Sequence, residues 1–205
     1  MQKILKKVRI KYLSVSLLMF GVLFGVTGAV SAITANTTIS SAVGSLISIT
    51  TNGTVNLDVL PTGAGAQTIA SDTATVNTND SLGYTLTLSS SSAVTSLTSG
   101  ANTIPALTAG TQSTPIVQTV NTWGYCVPSV GGFSTFCPSV NASSAAISGT
   151  YKFAGIKASG SGNTIATTNT AAVNATTTIW YAVAANTSQA TGTYTNTVTY
   201  TATAN

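Results

Sequence analysis

The chain contains no histidine and no glutamate, and its only acids are the three aspartates Asp58, Asp72 and Asp80. These absences remove most catalytic chemistry. A serine or cysteine nucleophile needs a base within hydrogen-bond reach, and the usual imidazole is missing. Glycoside hydrolysis needs two carboxyl groups converging in one cleft, and nothing in the spacing of the three aspartates suggests it. Zinc would find at most two thiols, Cys126 and Cys137, and no imidazole. Gly63-Ala64-Gly65 precedes no helical pattern and brings no phosphate-binding lysine, so it reads as a loop. Asn77-Thr78-Asn79-Asp80 carries oxygen ligands that suit loosely held calcium, but Asn and Asp are ordinary turn formers and a turn is the plainer reading. The chain is expected to be no enzyme and to use neither cofactor nor metal.

Charge is equally scarce, at 5% of residues. The net charge of +4 and the pI near 9.2 depend on Lys3, Lys6, Lys7, Arg9 and Lys11. Beyond residue 32 only Lys152 and Lys157 stand against the three aspartates. Binding to nucleic acid draws on several cations placed near phosphates, and two lysines do not supply them. Low charge together with 43% hydrophobic residues also argues against a flexible Ser/Thr-rich stalk.

What is present begins with a leader. The basic cluster precedes an apolar run from Tyr12 to Val26, and Val30-Ser31-Ala32 offers small residues for cleavage between Ala32 and Ile33. Residues 1–32 are read as a signal peptide with an N-terminal signal helix; an uncleaved anchor is the alternative. In either case the remainder lies outside the cytoplasm, secreted or at the cell surface, and touches membrane only through that segment if it stays uncleaved. Residues 33–205, about 173 in all, are enough for one sizeable core.

The remainder is written in a period of two. From Gly192 to Ala204, Thr193, Thr195, Thr197, Thr199, Thr201 and Thr203 share one parity, while Tyr194, Val198, Tyr200 and Ala202 share the other. Strand side chains alternate between faces, so this is a strand with one hydroxyl face and one apolar face. Leu82, Tyr84, Leu86 and Leu88 alternate in the same way, as do Thr177, Ile179, Tyr181 and Val183. Ile39 to Thr51 and Val55 to Val59 flank an Asn52-Gly53 turn signal. If they pair directly, a bulged three-residue turn sets Ile49 opposite Leu57 and Ile47 opposite Val59. Gln67 to Thr78 reads as a weaker strand. Residues 93–148 form a loop-rich middle with short strands near Thr103 to Leu107 and Pro115 to Thr122, and no sustained helical spacing follows the leader. The expected fold is a single all-β domain over residues 33–205, an antiparallel β-sandwich of Ig-like or Greek-key type with about eight strands.

The middle holds the most specific local feature, Asn121-Thr122-Trp123-Gly124-Tyr125-Cys126, with Cys137 further on. In an exported chain the two cysteines are expected to pair, closing a loop worth about 3 kcal/mol; free thiols or interchain links are the alternatives. Trp123, Tyr125, Phe133 and Phe136 could form an exposed aromatic platform for sugar rings or a protein. The plainer reading packs them over an open end of the sandwich under a disulfide-pinned flap. Six Asn-x-Ser/Thr sequons, at Asn36, Asn52, Asn79, Asn141, Asn174 and Asn186, are about what this composition yields by chance. Lys157 is a candidate for an isopeptide crosslink.

Three stretches carry a family resemblance: Val76 to Leu88 with T-N-D-S-L-G-Y-T-L-T-L, Asn121 to Tyr125 with N-T-W-G-Y, and the terminal G-T-Y-T-N-T-V-T-Y-T. In these the chain resembles the small secreted β-sandwich surface proteins of candidate-phyla (ultrasmall, episymbiotic) bacteria, themselves similar to WxL-type cell-surface domains. The resemblance implies a cell-surface β-sandwich, with non-covalent wall attachment in the WxL relatives. Trp123-Gly124-Tyr125 and Val198-Thr199-Tyr200 stand where the two Trp-x-Leu motifs would lie. Three functions follow as expectations. One is a structural or adhesive surface protein packed against cell wall or neighbouring surface proteins. Another is a self-assembling, pilus-like filament subunit whose N-terminal segment, Ile33 to Ile49, completes a neighbour's sheet. The last is a glycan- or wall-binding module using the flap 123–136.

Overall fold

A computed structural model describes residues 33–205, so the expected signal helix and the Ala32 side of the cleavage site lie outside the described residues. The chain divides after Ala42 into two units. Residues 33–42 of the first carry neither helix nor strand. The second, Val43–Asn205, holds every strand found among the described residues.

Alternation decides which elements form. β2 (Ala66–Thr78) and β11 (Ala172–Ala185) are the two longest strands and pair antiparallel along nearly their whole length, from Ala185↔Ala66 to Ala172↔Thr78. β7 (Thr122–Cys126) adds to the far edge of β11. On the other edge of β2, β1 (Ile47–Thr50) covers Thr75 to Thr78 and β8 (Ala142–Ala146) covers Ala66 to Ile69. The second layer is smaller: β3 (Tyr84–Ser90) lies between β10 (Asn163–Thr167) and β12 (Val198–Ala204). Two short ladders complete the set, β4 (Leu97–Ser99) with β5 (Asn102–Ile104), and β6 (Ile116–Val117) with β9 (Lys152–Phe153). The neighbours β2 and β11 continue into the neighbours β3 and β12, so two strand pairs cross from one layer to the other together. The described residues contain 12 strands rather than about eight, and no helix.

The core lies between the layers and is filled as the pattern requires. Ala74 and Val76 of β2, Ile179 and Val183 of β11, and Tyr84, Leu86 and Leu88 of β3 are buried. Thr199, Thr201 and Thr203 of β12 face water while Val198, Tyr200 and Ala202 turn inward. Gly83 has φ +81 at the entry to β3, and a side chain there would run into the Thr168 carbonyl.

Several expectations need correcting. Ile47 and Ile49 do not pair with Val59 and Leu57; they lie opposite Thr78 and Val76 of β2. Both choices keep one face apolar, but β2 presents a long ladder, and Asn52 donates its backbone N–H to the Asp72 carboxylate at 3.0 Å, fixing the turn against β2. Residues 54–60 are left extended but in no ladder. Leu82 is 63% exposed, because Asp80 closes a turn by accepting the Leu82 N–H and the strand begins only at Tyr84. Residues 192–197 lie outside β12; Thr195 makes a single bridge to Thr98 instead.

Truncating Leu86, fully buried in β3, to alanine is expected to cost about 2–5 kcal/mol of unfolding free energy, whereas Thr201→Ala on the wet face should stay within about 0.5 kcal/mol. Urea denaturation followed by circular dichroism measures both.

Candidate functional site

Two places in the sandwich depart from a closed shell. One is the flap that follows β7. Cys126 and Cys137 are bonded, with Cα atoms 5.5 Å apart. The loop between them folds on itself through tight turns, Val130 N–H to the Val127 carbonyl, Phe133 N–H to Val130 and Phe136 N–H to Phe133. Its aromatic residues point inward. Trp123 is 3% exposed and Tyr125 and Phe133 are fully buried, these last two meeting edge-to-face at 5.6 Å between ring centres. The Trp123 ring lies 6.5 Å from Tyr181 and its indole N–H is donated to the Thr95 carbonyl. Tyr125 donates to Gln112 and accepts from Asn163. Only Phe136 is half-buried, with the Lys152 ammonium 3.9 Å over its ring. Trp123, Tyr125 and Phe133 belong to the core rather than to an exposed platform, and Phe136 lies half-buried outside it. Gly124 between them is required, since a Cβ there would sit 2.6 Å from the Ala154 carbonyl oxygen.

The other departure is an open groove of about 850 Å³. Its floor is the inner face of the larger sheet, with Trp123, Tyr181, Val183 and Asp72. One wall is Val198 and Tyr200 of β12 with the run that leads into it, and the opposite wall is the extended run 54–59. Among the described residues β12 is an edge strand, with β3 on one side and no ladder on the other. The inward residues around this groove are only half-buried: Val55, Leu57, Val59, Val198 and Tyr200. Their counterparts in β3, namely Tyr84, Leu86 and Leu88, are buried. No sequence motif pointed to the groove. The one available signal was Val55-Leu57-Val59, an alternating run for which the sequence supplied an inward face but no certain partner.

A polar chain crosses the groove's base. Asp72 is 4% exposed in the middle of β2, where the edge between β1 and β8 has no ladder. One carboxylate oxygen accepts the N–H groups of Asn52 at 3.0 Å and Thr73 at 2.8 Å. The other accepts the Tyr200 hydroxyl at 2.9 Å, and the Tyr200 and Tyr181 hydroxyl oxygens are 2.7 Å apart. Burial pushes both phenols well above their usual 10.0, and the nearby Asp72 charge adds to the rise in each. Burial likewise raises the Tyr125 phenol. At the base of the groove these hydroxyl protons are held between the two layers.

The other candidates fall to structural roles. Asp80 accepts from the Leu82 N–H and the Ser45 hydroxyl, and Asn79 from the Leu46 N–H, so the Asn77–Asp80 oxygens hold a turn and the start of β1. No group of metal-ligating side chains occurs among the described residues. Lys157 is exposed, whereas an isopeptide bond forms between buried partners. No family profile, no curated protein and no solved structure matches this chain.

Two outcomes test this picture. Tyr200→Phe leaves one Asp72 oxygen without its donor and is expected to cost about 1–3 kcal/mol in urea denaturation. The folded chain keeps the Tyr125, Tyr181 and Tyr200 protons where the unfolded chain releases them, near 10.0. Their contribution to stability is therefore whole below that pH and falls as pH rises beyond it. A pH series of urea midpoints, read beside the near-ultraviolet tyrosinate absorbance, should show both together.

Proposed function

We propose that this chain is a non-enzymatic structural or adhesive protein of the cell exterior, packed against cell wall or neighbouring surface proteins. The observation that carries the reading is a disulfide-stapled β-sandwich whose outward positions are neutral hydroxyls. Bonded cysteines persist in oxidising compartments, and the Cys126–Cys137 pair fits one. Thr199, Thr201 and Thr203 line up on the wet face of β12 without a single charge. Such a surface offers many short donors and acceptors to polysaccharide or to a neighbouring sheet, and it is little affected by salt. No helix among the described residues is long and apolar enough to cross a membrane. Asp72, the buried carboxylate of the groove, already accepts three hydrogen bonds, which suits it to holding strands rather than moving protons. An attachment like that of WxL relatives remains part of the proposal only through surfaces other than the Trp123 ring, which is committed to the core.

Fractionating the native cells and weighing the intact protein tests this. The expected result is a wall or surface fraction with a mass that begins at Ile33 and lacks two hydrogens for the disulfide. A reduced, full-length product in the cytoplasmic fraction overturns the reading.

A further inference from the structure

The groove has the outline of a sandwich with one strand missing from its smaller layer. On one side of it β12 has no ladder beyond β3. On the other, residues 54–60 run extended with no ladder of their own, and Val55, Leu57 and Val59 turn towards the core yet stay half-buried. An edge left open is normally blunted by lysine, proline or a bulge. Val198-Thr199-Tyr200-Thr201-Ala202-Thr203-Ala204 has none of these.

The same chain carries a segment with the matching pattern. Ile33, Ala35, Ile39 and Val43 share one parity with Thr37 and Ser41, while the other carries Thr34, Asn36, Thr38, Ser40 and Ala42 and no large apolar side chain. Residues 33–43 belong to no strand, and Ile33, Ile39 and Val43 are 95%, 91% and 85% exposed. Three large aliphatic side chains so exposed on one face of an uncharged run leave apolar surface in water that pairing would remove. The segment ends where it is tied down: Asn79 accepts the Leu46 N–H and donates to the Gly44 carbonyl, and β1 then starts at Ile47. The free strand is therefore 33–43, not the whole of Ile33 to Ile49, since Ile47 to Thr50 already pair with β2. About 11 extended residues span about 35 Å, more than the seven residues of β12 require.

We propose that the groove between β12 and residues 54–60 is an acceptor site for a β-strand, and that its occupant is segment 33–43 of a second copy of this chain. Backbone N–H and C=O groups of the incoming strand complete the open edge of β12, and Ile33, Ile39 and Val43 cover Val55, Leu57, Val183 and Val198. Each copy then gives one strand and receives one. A head-to-tail contact of this kind runs on as a linear chain of copies unless the rotation between neighbours closes a ring, and a linear chain is the product proposed here. Specificity comes from parity, because a slip by one residue would turn Ile33, Ile39 and Val43 away from the groove. This goes beyond the surface-protein reading, which cell fractionation tests separately and which survives if the chain proves monomeric.

The test uses the full chain, its Ile39→Asp variant, and a synthetic peptide of residues 33–43. Ile39 is exposed, so the variant is expected to fold with an unchanged circular dichroism spectrum. Sedimentation velocity should show the parent chain as a ladder of assemblies and Ile39→Asp as a monomer. The monomer keeps an empty groove and should bind the peptide. An Ile39→Asp peptide should bind at least about tenfold more weakly, since it places a charge on an apolar floor. Leu57→Asp in the groove of the monomeric variant should weaken the natural peptide by a similar factor. A parent chain that sediments as a monomer overturns the proposal, and with peptide binding by Ile39→Asp it shows that the strand fills the groove of its own copy. Ile39→Asp chains that still assemble overturn it, and so does a peptide that fails to bind or binds regardless of Leu57.

Discussion

The pairing of β2 with β11 is the constraint on which the rest of the molecule depends. A buried backbone must satisfy its hydrogen bonds internally, and these two strands do so for one another over almost their full length. The ladder sets the parity of both inner faces at once. Ala74 and Val76 fall on the same side as Ile179, Tyr181 and Val183, which creates one continuous apolar floor. β3 and β12 follow directly from the ends of β2 and β11, and their pairing puts Leu86 and Leu88 over that floor. A register shift of one residue in the β2–β11 ladder would send Asp72 outward and Ser71 inward, and the cross-layer bond to Tyr200 would be lost.

The two layers are unequal, and the two departures from a closed shell follow from that. The larger sheet has five strands and the smaller three, so part of the larger sheet's inner face has no strand above it. Near the end of β7 the deficit is made good by the flap, whose Phe133 is buried against Tyr125 and whose course is fixed by the disulfide. Along β12 it is not made good. There the cover is an extended run without a ladder, and its apolar residues remain half in water. One deficit is closed by a covalent link within the chain; the other is left as an edge.

Much of this was legible in the sequence. The parity of β12, β3 and β11 and the inward set of each could be read from Thr/aromatic and Leu/Thr alternation, because an outer face of hydroxyls contrasts with an inner face of rings and aliphatics. The strand partners could not be read. Ile47 and Ile49 present the same apolar face to Leu57 and Val59 as to Val76 and Thr78, and hydrogen bonds between residues distant in sequence, Asn52 to Asp72 and Leu46 to Asn79, decide between them. Where both faces of a strand are covered, alternation tells only part of the story. Ile179 to Ala185 is buried throughout, and the alternation of Ile179, Tyr181 and Val183 did not signal that Trp180, Ala182 and Ala184 on the other face are covered too. The aromatic cluster near Cys126 illustrates the same limit. Composition identified Trp123, Tyr125 and Phe133 as a group, but their direction was set by the pairing of β7 with β11.

The buried Asp72 looks at first like an unfavourable choice in such a chain. A carboxylate taken out of water has a large desolvation cost, and no cation among the described residues accompanies it; two backbone N–H groups and one phenol provide the compensation. An apolar residue of similar size would avoid that cost, but it would not reach across the sandwich. The Asp72–Tyr200 and Tyr200–Tyr181 contacts join β2 and β11 of one layer to β12 of the other, at the base of the groove. Hydrogen bonds are directional where apolar contact is not, so they fix the placing of the layers beside an edge that no ladder closes. With Leu57 and Val198 free to collapse on one another, an apolar groove would be expected to shut. The polar chain beneath them is what gives the open edge a definite width, and hence makes it a site with a shape rather than a defect in packing.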